Sequence, residues 1–557
     1  MRDLFLLPSI IFKNKKLERL PMQKQFILAS IVLVFLNFLA LFLSPWFLLP
    51  FILILFIIVV GILDMRQTSH TIKRNFPIIG RLRYFFESIR PEISQYFVES
   101  DTDGVPFNRE QRTVVYQRAK GQRDTVPFGT KKNVYQMGYE WVNHSLAPTK
   151  MDKKHLRVTV GGPHCKQPYD ASILNVSAMS YGSLSQNAIR ALNGGAKAGG
   201  FAHNTGEGGL SPHHLANEGD LIWQIGTGYF SCRNSDGTFC EQEFSKKAAK
   251  TPQVKMIEIK LSQGAKPVHG GILPAKKVTK EISEIRGVPM GQDVLSPPAH
   301  SAFSNPMEFM FFIDKLRNLS GGKPIGFKLC LGNKWEFVAI CKAMLKTGIT
   351  PDYISVDGAE GGTGAEGGTG AAPLEFSNSV GTPGIEALIF VENCLVGFGL
   401  RDKIKLMSSG KVTTAFDVIK LISLGADLVY SARGMMMALG CIQALKCNSN
   451  RCPSGVATQN PKLMNGLVIA DKKKRVAHFH FETIKSLVEI IEAMGLEGPH
   501  KLRPSHIMRR ISETDSKNYE QLFEYIETGS LLKSNMSHEF ESLLKMSRPE
   551  SFHSIES

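Results

Sequence analysis

KIKLMSSGKVTTAFDVIKLISLGADLVYSARGMMMALG, residues 403–440, reads as two successive strand–turn–helix units. Ile404–Met407 and Leu428–Tyr430 are short apolar runs. Each leads into a polar turn, SSGK or SARG, and then into an amphipathic stretch, Thr413–Leu424 or Met435–Leu445. That alternation predicts βα units on a parallel sheet. The turns would set backbone amides and a cation, Lys411 or Arg433, at the carboxyl ends of late strands, where α/β barrels bind phosphate. One glycine turn alone is more often structural; two in succession point to a phosphorylated cofactor.

The same texture extends back to about residue 173. Ile173–Met179, Val254–Lys260, Pro324–Leu329 and Tyr353–Val356 are further strands, with a short one near Phe201, and Gln186–Gly199, Met307–Asn318 and Trp335–Thr347 are helices between them. Glycine-rich and polar motifs cluster just after the strands: NVSAMSYGSLS, HNTGEGGLSPHH, IKLSQGAKPVHGG and VDGAEGGTG. The fold expected is α/β, a (β/α)8 TIM barrel with its active site at the carboxyl-terminal face.

Cys441, Cys447 and Cys452 follow in GCIQALKCNSNRCPSGVATQ. Three thiolates from one stretch rich in turn formers can hold a small iron–sulfur cluster. Two alternatives stand beside it. Structural zinc normally takes four ligands in paired short spacings, and the sequence has no CxxC pair; three unrelated buried thiols are the other reading. The nine cysteines are odd in number and scattered from Cys165 to Cys452, unlike a secreted disulfide framework.

At 557 residues and 43% hydrophobic content the chain can bury one large barrel with accessory segments. Its net charge of +16 is dispersed or crowded near the N-terminus, with no aromatic-interleaved basic stripe, so nucleic acid is not expected as a partner. A membrane fits the crowding better. Residues 26–44 and 47–63 are free of charge and separated only by Pro45 and Trp46, long enough at about 1.5 Å per residue to approach the thickness of a bilayer core. Lys13, Lys15, Lys16, Arg19 and Lys24 precede the pair, and Arg66, Lys73, Arg74, Arg81 and Arg83 follow it, so both flanks should stay in the cytoplasm. A signal peptide would have a shorter apolar region and a small-residue cleavage site. The organisation expected is a membrane anchor over 1–74, a linker or cap over 75–150 with a helix across Tyr84–Val98 interrupted at Pro91, the barrel over 151–495, and a polar helical tail over 496–557. His213, His214 and His269 lack a ligand period and read as solvated loop histidines.

From about residue 150 to 495 the sequence resembles the FMN-binding synthase domain of glutamate synthase. The resemblance rests on AMSYGSLS (178–185), NTGEGG (204–209), QGAKP (263–267), Lys328 in FKL, DGAEGGTG and GAAP within 357–373, SSGK with TTAFD, LGAD (424–427) and CPSGVATQ. It implies FMN and a 3Fe-4S cluster held by Cys441, Cys447 and Cys452. It implies that Ala178, Met179 and Ser180 lie beside the flavin ring and that Gly410, Lys411, Arg433 and Gly434 lie near its phosphate. Lys328 would supply positive charge at the N1/O2 edge, which gains negative charge on reduction; the bland reading is a strand-end lysine in an ion pair. Glu207 and Asp357 would order the substrate pocket, or else merely stabilise turns.

The resemblance further implies reductive formation of L-glutamate from 2-oxoglutarate and ammonia or partner-supplied nitrogen. A ferredoxin-like or NAD(P)H-linked partner would donate electrons. Four departures qualify it: no amino-terminal nucleophilic cysteine for glutamine hydrolysis is expected, nor a carboxy-terminal β-helical domain; PVHGG stands where the family has a glycine–glutamate–glycine turn; and AEGGTG repeats perfectly at 359–364 and 365–370. The alternatives are a membrane-tethered flavoprotein for electron relay or partner assembly, or a related N-methylglutamate-type synthase.

Overall fold

The computed structural model describes residues 21–264, 271–361, 372–533 and 538–555. The basic flank Lys13–Arg19, residues 265–267 of QGAKP, His269 and the second AEGGTG copy lie outside them. The chain divides into two compact units, 1–99 and 100–557.

In the first unit α1 (Met22–Leu41) and α2 (Leu48–Arg66) are joined by a single turn at Pro45–Phe47. Both are apolar on every side, and side chains such as Ile31, Phe35 and Phe56 are each at least 60% exposed. Both are long and apolar enough to cross a membrane. Asp64, near the end of α2, is buried and takes a bidentate pair from Arg81 at 2.8 Å as well as the Ile78 N–H at 3.1 Å. The expected helix over Tyr84–Val98 is instead Ile79–Ser88 followed by Arg90–Ile93 and a π turn over Ser94–Val98. Pro91 opens the second piece, where its missing N–H breaks no bond.

In the second unit eight parallel strands close a barrel in sequence order: β1 (Leu174–Val176), β2 (His203–Asn204), β3 (Leu221–Ile225), β4 (Val254–Lys260), β5 (Ile325–Cys330), β6 (Tyr353–Asp357), β7 (Lys405–Ser409) and β8 (Leu428–Ser431). Every residue of β3, β5 and β6 is buried, as a parallel sheet covered on both faces requires. Around the barrel run α3 (Gln186–Gly199), α4 (Glu241–Lys250), α5 (Pro306–Leu319), α6 (Lys334–Thr347), α7 (Gly384–Gly397), α8 (Ala415–Ser423), α9 (Arg433–Ala438) and α10 (Ile469–Ala493). Strand β3 and helices α4, α7 and α10 had no counterpart in the sequence reading. LIWQI lacks alternation and sits among glycines, so periodicity does not mark it. Helix α9 ends at Ala438 rather than Leu445, because Gly440, Gln443 and Leu445 all take positive φ and turn the chain into the cysteine loop.

The antiparallel hairpin Arg157–Val160 with Tyr169–Ser172 plugs the barrel at its strand starts: Val160, Tyr169 and Ala171 pack with Ile222, Met256, Tyr353, Met407 and Leu428. Helix α10 lies close along α3; a Cβ on Gly195 would fall 2.5 Å from Val476. The helix Arg109–Ala119, capped by Asn108, buries Val115 and Ala119 in the main core, so part of the expected linker belongs to this unit. Beyond residue 496, besides the helices Tyr519–Leu522 and His538–Met546, the strand Ile507–Arg510 pairs antiparallel with Glu140–Val142 on one side and with Ser516–Asn518 on the other.

Candidate active site at the barrel mouth

Strand ends bring most of the expected residues together. Ala178, Met179 and Ser180 leave β1 fully buried, and the NTGEGG loop packs directly against them. Gly206 has φ +66°, and a Cβ there would lie 2.8 Å from the Ser180 nitrogen. Only glycine allows that approach. Next to it, Glu207 is buried and its Oε2 lies 3.0 Å from Lys260 Nζ at the end of β4. His300 donates from Nε2 to the Lys260 carbonyl (2.9 Å), and its Nδ1 lies 3.0 Å from Tyr229 OH.

Lys328 on β5 and Asp357 at the end of β6 form an ion pair of 3.3 Å with both side chains nearly inaccessible. Asp357 also accepts from Ser409 Oγ (2.6 Å) and the Gly264 N–H (3.0 Å), so one carboxylate joins the ends of β6 and β7 to the loop after β4. Burial alone would raise the Asp357 pKa; the Lys328 ammonium and these donors outweigh it and hold it below the ordinary carboxylate value.

At the SSGK and SARG turns, Lys411 has φ +49°, a strained conformation for a side chain with a Cβ, and the space above Gly410 is open apart from Glu360. Desolvation first and the Arg433 cation second lower the Lys411 pKa, while Glu360 works the other way, so two cations converge here. Glu360 belongs to the first AEGGTG copy. Its carboxylate accepts from the Gly384 N–H at the start of α7 (3.0 and 3.2 Å), and its carbonyl accepts from Arg433 at 2.8 Å. Gly434 packs tightly, a Cβ there meeting Ser431 Oγ at 2.5 Å.

Beyond α9 a cavity of about 560 Å3 is lined by Cys441, Cys447, Cys452, Met436, Met437 and Arg433, among others, so Arg433 borders both the SARG turn and the cysteines. Gln443, Leu445 and Asn450 all take positive φ in this loop. Burial pushes the Cys441 thiol up to about 12, with the neighbouring Cys447 and Cys452 adding to the effect. Among the described residues no three His, Cys, Asp or Glu side chains converge on a single metal ion. A polynuclear cluster, which places its own iron and sulfide between its ligands, needs no such convergence; three thiols around one cavity fit it better than they fit zinc.

The sequence reading missed several residues. Arg286 is buried with its guanidinium over the Phe230 ring (5.0 Å), donates to the Tyr181 carbonyl at 3.0 Å, and has no partner for Nε. Burial lowers its pKa to about 10, with Glu207 opposing. Both amide atoms of buried Gln263 and Oε1 of Glu207 are likewise unpartnered among the described residues. Gln263 and Lys260 lay within a quoted motif, but Arg286 ends a short helix with no motif of its own. The solvated-loop reading of the histidines is corrected for two of them. His214 is fully buried, bonded to Ser211 Oγ (2.8 Å) and the Met179 carbonyl (3.2 Å), with burial lowering its pKa to about 4; His213 is half-buried against Glu281 at 2.9 Å.

A closed parallel barrel with such a mouth is an α/β-barrel enzyme. Residues 150–497 match the family model described as the conserved region in glutamate synthase. The chain is 36% identical over 502 residues to the glutamate synthase large subunit-like protein YerD of Bacillus subtilis, covering 83% of this chain and 94% of that one. It is 32% identical over 373 residues to the archaeal glutamate synthase [NADPH] of Methanocaldococcus jannaschii, covering 67% and 68%. A solved flavocytochrome b2 with pyruvate bound aligns at 12% identity and a TM-score of 0.40 over 82% of this chain and 92% of that one, too slight a likeness to argue from. The chain belongs to the glutamate synthase family and is an oxidoreductase of that type.

Proposed function

We propose that this protein is a membrane-anchored FMN and iron–sulfur oxidoreductase that forms L-glutamate from 2-oxoglutarate and ammonia-derived nitrogen. The observation that carries the reading is the pair of buried polar atoms, Arg286 Nε and Glu207 Oε1, that have no partner among the described residues and belong to side chains packed at the Met179–Tyr181 segment and the loop against it. Buried polar groups are normally satisfied, and each unmet one marks a binding role or an unseen partner. The Arg286 guanidinium suits a carboxylate; the Glu207 oxygen suits the nitrogen of an imine or of ammonia.

The residues present fit FMN. Lys411 and Arg433 converge on the open Gly410 turn, where a phosphate would relieve their mutual repulsion. Ala178, Met179 and Ser180 would give the ring a buried wall, and Lys328, paired with Asp357, would stand at its electron-accepting edge. When bound, FMN supplies the hydride. Condensation of 2-oxoglutarate with ammonia releases water and gives 2-iminoglutarate; a hydride at C2 and a proton on nitrogen then give glutamate. Arg286 and Gln263 hold the carboxylates and Glu207, steered by Lys260, orients the nitrogen. Cys441, Cys447 and Cys452 would hold a 3Fe-4S cluster, and a one-electron donor protein or an NAD(P)H-linked subunit would supply electrons. Helices α1 and α2 would hold the protein in the cytoplasmic membrane with the barrel inside the cell.

The test is the spectrum of detergent-solubilised protein prepared anaerobically. Flavin bands over a broad visible background are expected, with Cys447→Ser removing the background and leaving the flavin. A colourless preparation sinks the cofactor reading, and recovery of the chain in the soluble fraction without detergent sinks the membrane reading.

A further inference from the structure

Lys277 has one of the largest fully buried side chains in the protein, with no exposed surface. Its Nζ donates to the Cys447 carbonyl at 2.9 Å and to the Ser183 carbonyl at 3.2 Å, and it pairs with no Asp or Glu among the described residues. A buried ammonium without a counter-charge is unfavourable by several kcal/mol. The residue it contacts, Cys447, is one of the three whose thiols line the cavity beyond α9.

Its position joins two loops. The loop after β1 runs from the platform residues Ala178–Ser180 to Ser185, and it is stitched to the segment carrying Cys452. Gln459 Nε2 donates to the Gly182 and Leu184 carbonyls (3.1 and 2.8 Å), Ser185 Oγ donates to the Gly455 carbonyl (2.8 Å), and the Ser185 N–H donates to the Val456 carbonyl (2.9 Å). These ties are neutral, whereas Lys277 brings a charge.

We propose that Lys277 is a positioning residue that acts as the built-in counter-cation of the iron–sulfur cluster, raising its reduction potential while fixing Cys447 against the flavin-side loop. The inference rests on the cluster reading above. One-electron reduction adds one negative charge to the cluster and its thiolates, and a fixed cation in a low-dielectric surrounding favours that state over the oxidised one. The cluster thereby accepts single electrons from its donor more readily.

The test is a redox titration of the full chain in detergent, following the EPR signal of the oxidised cluster. Lys277→Met removes charge and donors; Lys277→Gln keeps donors and removes charge; Lys277→Arg keeps charge. A lower midpoint potential is expected in the Met and Gln variants, at unchanged flavin content, with the Arg variant close to the parent. Loss of the cluster from Met and Gln but not from Arg also supports the proposal. Unchanged midpoints in Met and Gln, or loss of the cluster from all three, overturns it. A parent protein with flavin but no cluster signal overturns the underlying cluster reading as well.

Discussion

Lys328 Nζ stands 3.3 Å from Asp357 Oδ2 across adjacent strands, and neither side chain reaches solvent. Removing one member of a buried pair leaves an uncompensated charge, typically at about 3–5 kcal/mol. Lys328→Met is therefore expected to destabilise the barrel by that order and to abolish turnover, whereas Asp357→Asn leaves a lysine that can lose its proton. Chemical denaturation of the two variants beside the parent checks the first expectation, and glutamate formation checks the second.

Asp357 also predicts a pH dependence. Its native pKa lies below the ordinary carboxylate value, so its contribution to stability is complete above the unfolded-state value, about 4, and fades as pH falls through the lower native value. The stability gap between parent and Asp357→Asn should be constant near neutrality and shrink in strong acid. Denaturation midpoints measured across pH check it; a gap that grows as pH falls would reverse the sign.

Arg286 has no partner for its buried Nε among the described residues, and hydrogen bonds to charged groups contribute about 1.5–3 kcal/mol. Arg286→Leu is expected to raise KM for 2-oxoglutarate about ten- to hundredfold at unchanged flavin content. Steady-state kinetics with a chemical reductant measure this directly. An unaltered KM would remove Arg286 from substrate binding.

Much of this architecture was legible beforehand because its signals are local. SSGK and SARG mark β7 and β8 through strand–turn–helix texture, and three cysteines in one loop announce themselves by spacing. The pairing of Lys328 with Asp357 was not, since residues 29 apart meet only when β5 and β6 pair in register. Glu258 is a sharper case. It accepts from Asn204 (2.7 Å), Gln224 (2.8 Å) and Ser355 (2.5 Å) inside the closed barrel, a network drawn from four strands that no window of sequence contains. His214 misled because a loop histidine is usually wet, and only the packing of its loop on Met179 makes this one dry.

The two AEGGTG copies can be tested one against the other. Glu360 is tied to Gly384 and Arg433, so the first copy serves the barrel mouth. Deleting residues 365–370 should change stability by no more than a few tenths of a kcal/mol and leave flavin binding intact. Glu360→Ala should weaken flavin retention while Glu366→Ala does not. Flavin content after gel filtration distinguishes them, and equal loss in both would reassign the site.

The most direct measurement is a single turnover. Full-length protein in detergent, reduced anaerobically and freed of excess reductant, is mixed with 2-oxoglutarate and 15N-ammonium while the flavin band is followed. Return of the oxidised band with a matching yield of 15N-glutamate, and only when both substrates are present, is the result predicted. A flavin that stays reduced with both substrates, with no labelled glutamate formed, would contradict it.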